Sequence, residues 1–232
     1  MEKEVFILPV IRRQKDLMIS QEKKISRLIE ILNKNNITAF YLKNKQQAFE
    51  KVMSMIPEGS QVGFGDSVTL RQIGVVDALE KGNYSFLNPW EQGITVEENI
   101  RRKKRGLTSD VFVTGTNALT LDGKIVNIDA HGNRVAAMLF GPDRVIIVIG
   151  INKIVENLEA ALERIRKKTA PLNVQRHPEF DPMPPCGLTG ECSDCSSPWR
   201  ICNKTVIIER QFNNNKYKPV ITVVIVGEEL GL

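Results

Sequence analysis

The chain has 232 residues, of which 42% are hydrophobic and 25% charged, a composition of soluble globular proteins that excludes global disorder and collagen-like repeats. No run approaches ~18 uninterrupted apolar residues, and Met1-Glu2-Lys3-Glu4 leads into no apolar segment with a cleavage site, so no membrane span is expected and the location reads as cytoplasmic. The formal charge of +5, from 32 Lys+Arg against 27 Asp+Glu, suits anionic small molecules and is too modest to indicate nucleic acid.

The first 36 residues read as a helix, because Ile25, Leu28, Ile29 and Leu32 share one face and Asn35-Asn36 supplies a stop. Residues 37–42 follow as a strand. Asn44 with Gln47 then caps a helix whose Phe49, Val52, Met53 and Ile56 lie together, and Pro57-Glu58-Gly59 ends it. Gln61 to Gly65 is a second strand. Thr69 with Gln72 opens a helix with Leu70, Ile73, Val76 and Leu79 as its apolar side, and Tyr84 to Leu87 can form a strand. Thr95-x-x-Glu98 opens a helix running into Arg101-Arg102-Lys103-Lys104-Arg105, read as a solvated basic end.

From Val111 the pattern changes. A short strand and the loop Thr114-Gly115-Thr116-Asn117 precede two extended runs joined at Asp122-Gly123, a hairpin signal. Asn133 to Phe140 reads as a short helix and Val145 to Ile149 as a buried β-branched strand. Leu158, Ala161, Leu162 and Ile165 mark a helix ending at Arg166-Lys167-Lys168. Residues 171–203 hold six of the eleven prolines and all four cysteines, without a secondary-structure period, and read as a loop needing some other source of order. Thr205–Glu209 and Val220–Val226, separated by the polar stretch 211–218, read as a closing antiparallel hairpin.

Helices interleaved with β-branched strands predict an α/β fold, a mainly parallel sheet with helices on both faces and hairpin insertions. The expected organisation is an N-terminal helical arm (1–36), one α/β domain (37–170 and 204–232) and an inserted Pro/Cys-rich loop (171–203). In such sheets the ligand crevice lies beyond the carboxyl ends of the strands. Three loops there suit an anion: Gly65-Asp66-Ser67, Thr116-Asn117 and Asn152-Lys153. Between them lies the dense polar stretch Asn127 to Arg134. Asp129 and His131 are candidate proton carriers, with Asn133 beside them and Arg134 a candidate bidentate clamp for a carboxylate. The structural alternative has Asp129 and Asn133 satisfying turn backbone and Arg134 in a salt bridge.

The cysteines, Cys186, Cys192, Cys195 and Cys202, are spaced Cys-x5-Cys-x2-Cys-x6-Cys. In a reducing compartment such grouping points to one metal centre rather than to disulfides. The spacing itself does not choose between zinc and an iron-sulfur cluster.

The segment TGTNALTLDGKIVNIDAHGNRVAAMLFGPDRVIIVIGINK, from Thr114 to Lys153, together with GDSVTL at Gly65 to Leu70, resembles the lactate-utilisation (LUD) domain family over most of residues 40–170. The resemblance implies a NagB/RpiA/CoA-transferase-like fold, shared with sugar-phosphate isomerases, CoA transferases and formyltetrahydrofolate cyclo-ligases. It also implies a place in a bacterial system whose iron-sulfur proteins oxidise L-lactate to pyruvate, with redox proteins as partners. The chain is similar to the small LUD-only subunit and lacks tandem ferredoxin-type cysteine runs, while its four-cysteine loop departs from the simplest members. The redox association favours a 4Fe-4S cluster, with zinc the alternative. Fold analogy does not assign the reaction, so a stand-alone isomerase, ligase or transferase is the rival, and a homo-oligomer is left open.

Overall fold

The computed structural model describes residues 7–232, residues 215 and 219 excepted, with side chains from residue 21 onward. The long helix α1 (Ile7–Lys34) is followed by β1 (Thr38–Leu42), α2 (Lys45–Ser54), β2 (Gln61–Phe64), α3 (Val68–Gln72), α4 (Val75–Lys81), β3 (Ser85–Leu87) and α5 (Val96–Arg105). The first six residues of the expected helix lie outside the described residues. Next come β4 (Val111–Thr114), β5 (Ala118–Thr120), β6 (Ile125–Asp129), α6 (Asn133–Leu139), β7 (Arg144–Gly150) and β8 (Ile154–Val155). The chain closes with α7 (Leu158–Arg164), α8 (Ala170–Gln175), α9 (Pro185–Thr189), β9 (Lys204–Ile208) and β10 (Ile221–Val226).

Six strands form one parallel sheet in the order β1-β10-β7-β4-β2-β3. Strand β7 shows why the sequence there is an unbroken β-branched run. Val145, Ile147 and Ile149 pack with Leu28 and Leu32 of α1 and Met138 of α6, while Ile146 and Val148 pack with Val52, Leu70 and Leu79 on the opposite face. A strand covered on both faces needs apolar side chains at every position. Each fully buried Leu or Ile there contributes about 1.5–3 kcal/mol. The expected α/β fold, a parallel sheet flanked by helices, is what the structure shows. A second sheet, β8-β5-β6-β9, lies on the α1 side, its β5–β6 hairpin turning at Gly123 with φ +87°.

Three expected elements differ. The helix after β2 is capped by Ser67 rather than Thr69, and Gly74 at φ +83° breaks it into α3 and α4. The helix expected to stop at Lys168 continues through a π turn at Ile165–Thr169 into α8, so its basic residues sit mid-run. Pro171, the second residue of α8, lies just after the π turn and has no N–H to donate back to it. The closing hairpin is absent. Strand β9 joins the small sheet antiparallel to β6, whereas β10 enters the main sheet between β1 and β7. The reason is burial: Ile221 to Val226 is apolar at nearly every position and fits the sheet centre, while Lys204 to Ile208 is largely exposed and fits an edge. No helix among the described residues is long and apolar enough to cross a membrane.

Candidate functional site

All six strands of the main sheet run the same way, so the loops after β2, β4 and β7 converge at one edge. There they line a cleft of about 350 Å³. Two glycines make this convergence sterically allowed. A Cβ on Gly65 would lie 2.5 Å from Thr114 Oγ1 and 2.9 Å from Arg134 Cγ, and one on Gly115 would lie 2.9 Å from Ser67 Oγ. Ser67 sits at the start of α3 with its Oγ accepting from the Leu70 N–H at 3.3 Å.

One wall is built from the expected polar stretch, and apart from the buried Asn127 Nδ2, which has no partner, its groups are occupied with one another. Arg134 donates Nε and Nη2 to Asp129 Oδ1 at 2.9 and 2.6 Å, Nη1 to Asn127 Oδ1 and the Gly115 carbonyl, and Nη2 also to Asn117 Oδ1 and the Ile128 carbonyl. All five N–H groups of a guanidinium are thereby used. The second oxygen of Asp129 accepts the Val135 N–H at 3.2 Å. Asn117 Oδ1 also accepts the Ile128 N–H, and Thr116 donates to Asn127. Arg134 therefore serves as a scaffold cation and not as the free carboxylate clamp expected from sequence. The ion pair and the Val135 N–H bond together tie Asp129 to α6 rather than leaving it a free base. Asn133 opens that helix.

The opposite wall holds a different kind of cation. Lys153 follows β7 in a 3-10 turn, is only 6% exposed, and reaches Thr69 Oγ1 at 3.3 Å. No side-chain carboxylate among the described residues lies within ion-pair distance of it. Burial, helped by the nearby Arg164 and Arg134 guanidiniums, lowers its pKa from 10.5 to about 7. The backbone of residues 230–232 closes beside the amine: Leu230 N–H donates to Asn152 Oδ1, Gly231 N–H to Gln72 Oε1, and Arg164 Nη2 to the Leu232 carbonyl. Asn152, expected as an anion ligand, is outside the cleft lining and instead pins this tail.

The roof comes from residues that sequence spacing did not single out. Asn99 and Lys103 of α5 lie four apart, on the face of the helix that meets the cleft, so the basic run is not wholly solvated. Burial lowers the Lys103 pKa, and its amine lies 5.6 Å from the Trp90 ring centroid. Arg176 pairs with Asp66 at 3.2 Å, and His177 with Glu179 at 2.9 Å. Asp66 itself has a left-handed φ of +42°. His131 stands exposed at the mouth, its pKa lowered by partial desolvation and then by Lys103 and Lys204. The i, i+4 spacing of Asn99 and Lys103 was a usable signal. Nothing local marks Arg176, His177 or Phe180, which arrive from a distant loop.

The cysteines lie apart from this cleft, although their loop reaches it. Ile201 lines the cleft, and Trp199 stacks on Phe180, which stacks on His177, with centroids 5.1 and 5.0 Å apart. Arg200 clamps the loop by donating to the Cys195 carbonyl at 2.5 Å, the Cys202 carbonyl at 3.2 Å and Asp194 at 2.8 Å. These contacts supply order that the sequence alone would assign to a metal. Cys186 is buried, Cys192 exposed, and Cys195 and Cys202 half-buried, none of them in a disulfide. Burial pushes the Cys202 thiol up to about 11, and the other three thiols add to the rise. Among the described residues no group of three or more His, Cys, Asp or Glu is arranged to hold a single metal ion.

The sequence model of the LUD domain family matches residues 25–226. Among solved structures, a DUF162 family protein from Deinococcus radiodurans shares 12% identity over 89% of this chain and 98% of its own, with a TM-score of 0.48. Ribose 5-phosphate isomerase A from Neisseria gonorrhoeae shares 14% identity over 57% of this chain and 62% of its own, with a TM-score of 0.33. No curated protein sequence matches the chain. With the family match running from the last turns of α1 to the end of β10, the chain belongs to the LUD domain family, which is associated with lactate utilisation.

Proposed function

We propose that the cleft binds a small hydroxy- or oxo-acid anion, and that the chain acts as a component of an iron-sulfur redox system converting L-lactate to pyruvate. The observation that carries the anion reading is a shortage of negative charge. The three lining carboxylates, Asp66, Asp129 and Glu179, are each engaged by Arg176, Arg134 or His177. Lys153, Lys103 and His131 are left in an environment that disfavours their protonated forms. A bound carboxylate would relieve all three. The volume, near the lower end of about 300–1,000 Å³ for ligand pockets, suits a small acid better than a CoA-linked substrate.

The four cysteines are proposed ligands of one centre. Their support is their confinement to residues 186–202 and the burial, reinforced by the neighbouring thiols, that disfavours the thiolates of Cys186 and Cys202 and that a bound cation would offset. Four thiolates suit either a zinc ion, with sulfurs at about 2.3 Å, or a four-iron cluster, and the redox association of the family favours the cluster. Such a cluster would supply single-electron transfer. Lactate oxidation releases two electrons and two protons, so an external acceptor protein completes the system.

Thermal-shift measurements with L-lactate, pyruvate, sugar phosphates, folates, nucleotides and CoA test the anion reading. Stabilisation by lactate or pyruvate is expected, and stabilisation by the phosphorylated compounds alone would transfer the proposal to the isomerase or transferase class. Iron and sulfide analysis of anaerobically purified protein tests the centre. The expected result is iron with sulfide that is lost in Cys195→Ser, whereas four freely titrating thiols with no metal would remove it.

A further inference from the structure

Lys153 differs from every other basic group of the cleft in a way that anion binding alone does not require. A lysine kept as a permanent counter-ion is ordinarily held charged by a carboxylate. Here its hydrogen-bond partner is the neutral Thr69 hydroxyl at 3.3 Å, and the charged groups acting on it are the Arg164 and Arg134 guanidiniums. The amine is 6% exposed yet lines the cleft. Its position is fixed: a Cβ on Gly231 would lie 2.6 Å from Nζ, and that glycine, at φ +70°, is held by Gln72. Desolvation beside other cations is the arrangement that frees a lysine lone pair to attack a carbonyl.

We propose that Lys153 is a nucleophile that forms an imine with a small 2-oxo acid bound in the cleft. This rests on the anion reading and deepens it, because the surrounding positive potential recruits the carboxylate and the neutral amine takes the adjacent carbonyl. The Nζ lone pair attacks the carbonyl carbon and a C–N bond forms. The carbonyl oxygen becomes a hydroxyl by taking one amine proton, and it then leaves as water with the second. The products are one imine and one water, with no change in oxidation state. Protonation of the imine nitrogen gives the iminium. The Thr69 hydroxyl, 3.3 Å from Nζ, is placed to pass that proton.

The test is reductive trapping. The full-length protein is incubated with pyruvate and cyanoborohydride, digested and mapped by mass spectrometry, with L-lactate plus cyanoborohydride as the carbonyl-free control. Pyruvate binding without reductant is followed in parallel by thermal shift. One reduced pyruvyl adduct on Lys153 is expected, absent with lactate and lost in Lys153→Met, whose folding is checked by its melting transition. At saturating pyruvate its yield should rise severalfold as pH is raised through the range in which the amine loses its proton, at or above about 7. Pyruvate-induced stabilisation with no adduct on Lys153 would overturn the imine and leave the anion site standing. Neither stabilisation nor adduct would overturn both. Adducts spread evenly over surface lysines, or retained in Lys153→Met, would also overturn the imine.

Discussion

The two walls of the cleft are both basic and polar, yet they are built on opposite principles. On the Asn127–Arg134 wall every strong donor of Arg134 and both oxygens of Asp129 have partners, so charge there is neutralised inside the protein. On the Lys153 wall an amine is buried against a hydroxyl and near two guanidiniums, so charge is left unneutralised. Density of polar residues in the sequence therefore marks the internally paired wall, while the isolated lysine marks the unpaired charge. A satisfied network holds geometry, and an unsatisfied group is where a ligand gains the most.

The largest effect should come from breaking the satisfied wall. Arg134→Met leaves Asp129 buried beside unpaired amides and is expected to lower unfolding free energy by about 3–5 kcal/mol, read from a urea denaturation midpoint. A loss below about 1 kcal/mol would mean that the pair is no more than a surface bridge and the contrast between the walls is lost.

The same substitution on the other wall should do the reverse. The pKa of Lys153 falls from 10.5 to about 7 on folding, and at about 1.4 kcal/mol per unit this bounds the penalty near neutral pH at roughly 5 kcal/mol. Lost contact with Thr69 and lost packing of the stem reduce the expected gain of Lys153→Met at pH 7 to roughly 2 kcal/mol. The sign follows from proton counting: between about pH 7 and 10.5 the unfolded chain binds a proton that the folded chain lacks, so stability rises with pH across that window. Denaturation curves at pH 7, 8.5 and 10 should show this rise in the parent and a flatter profile in the variant. Equal slopes would remove Lys153 as the buried titrating group.

Smaller effects sharpen the geometry. Gly65→Ala places a methyl 2.5 Å from Thr114 Oγ1 and should cost about 1–2 kcal/mol while weakening ligand-induced stabilisation, since the two loops are pushed apart. Asn152→Ala removes the acceptor of the Leu230 N–H and should cost about 1 kcal/mol, leaving lactate stabilisation intact, because Asn152 holds the tail rather than the ligand.

Local signals carried much of this structure. The caps at Asn44 and Thr95, the Asp122-Gly123 turn and the β-branched strands β7 and β10 were all legible because each depends on a few adjacent residues. Pairing was less so: the apolar run of β10 announces burial on both faces but not that its neighbours are β1 and β7. In the site, Gly65, Asp66, Ser67, Thr116, Asn117, Asp129, His131, Asn133, Arg134 and Lys153 all line one cleft, and Asn152 does not. Their roles were hidden, since Arg134 is saturated by partners from 115 to 129 and Lys153 is isolated by a fold that brings Thr69 and Gly231 to it. Ser67 and Thr69 illustrate the limit of capping rules: both fit the spacing, but Thr69 is turned inward to meet Lys153.

The central claim, that the cleft holds an uncompensated amine awaiting a carboxylate, is tested most directly by calorimetry with L-lactate at pH 8 in two buffers of different ionisation enthalpy. Lactate carries no carbonyl, so only charge pairing is read. With Lys153 mostly neutral at that pH, binding should take up close to one proton per lactate, affinity should weaken as pH rises above about 7, and Lys153→Met should lose most of that proton uptake. Lactate binding that is proton-silent in the parent protein, or no binding at all, would contradict the account.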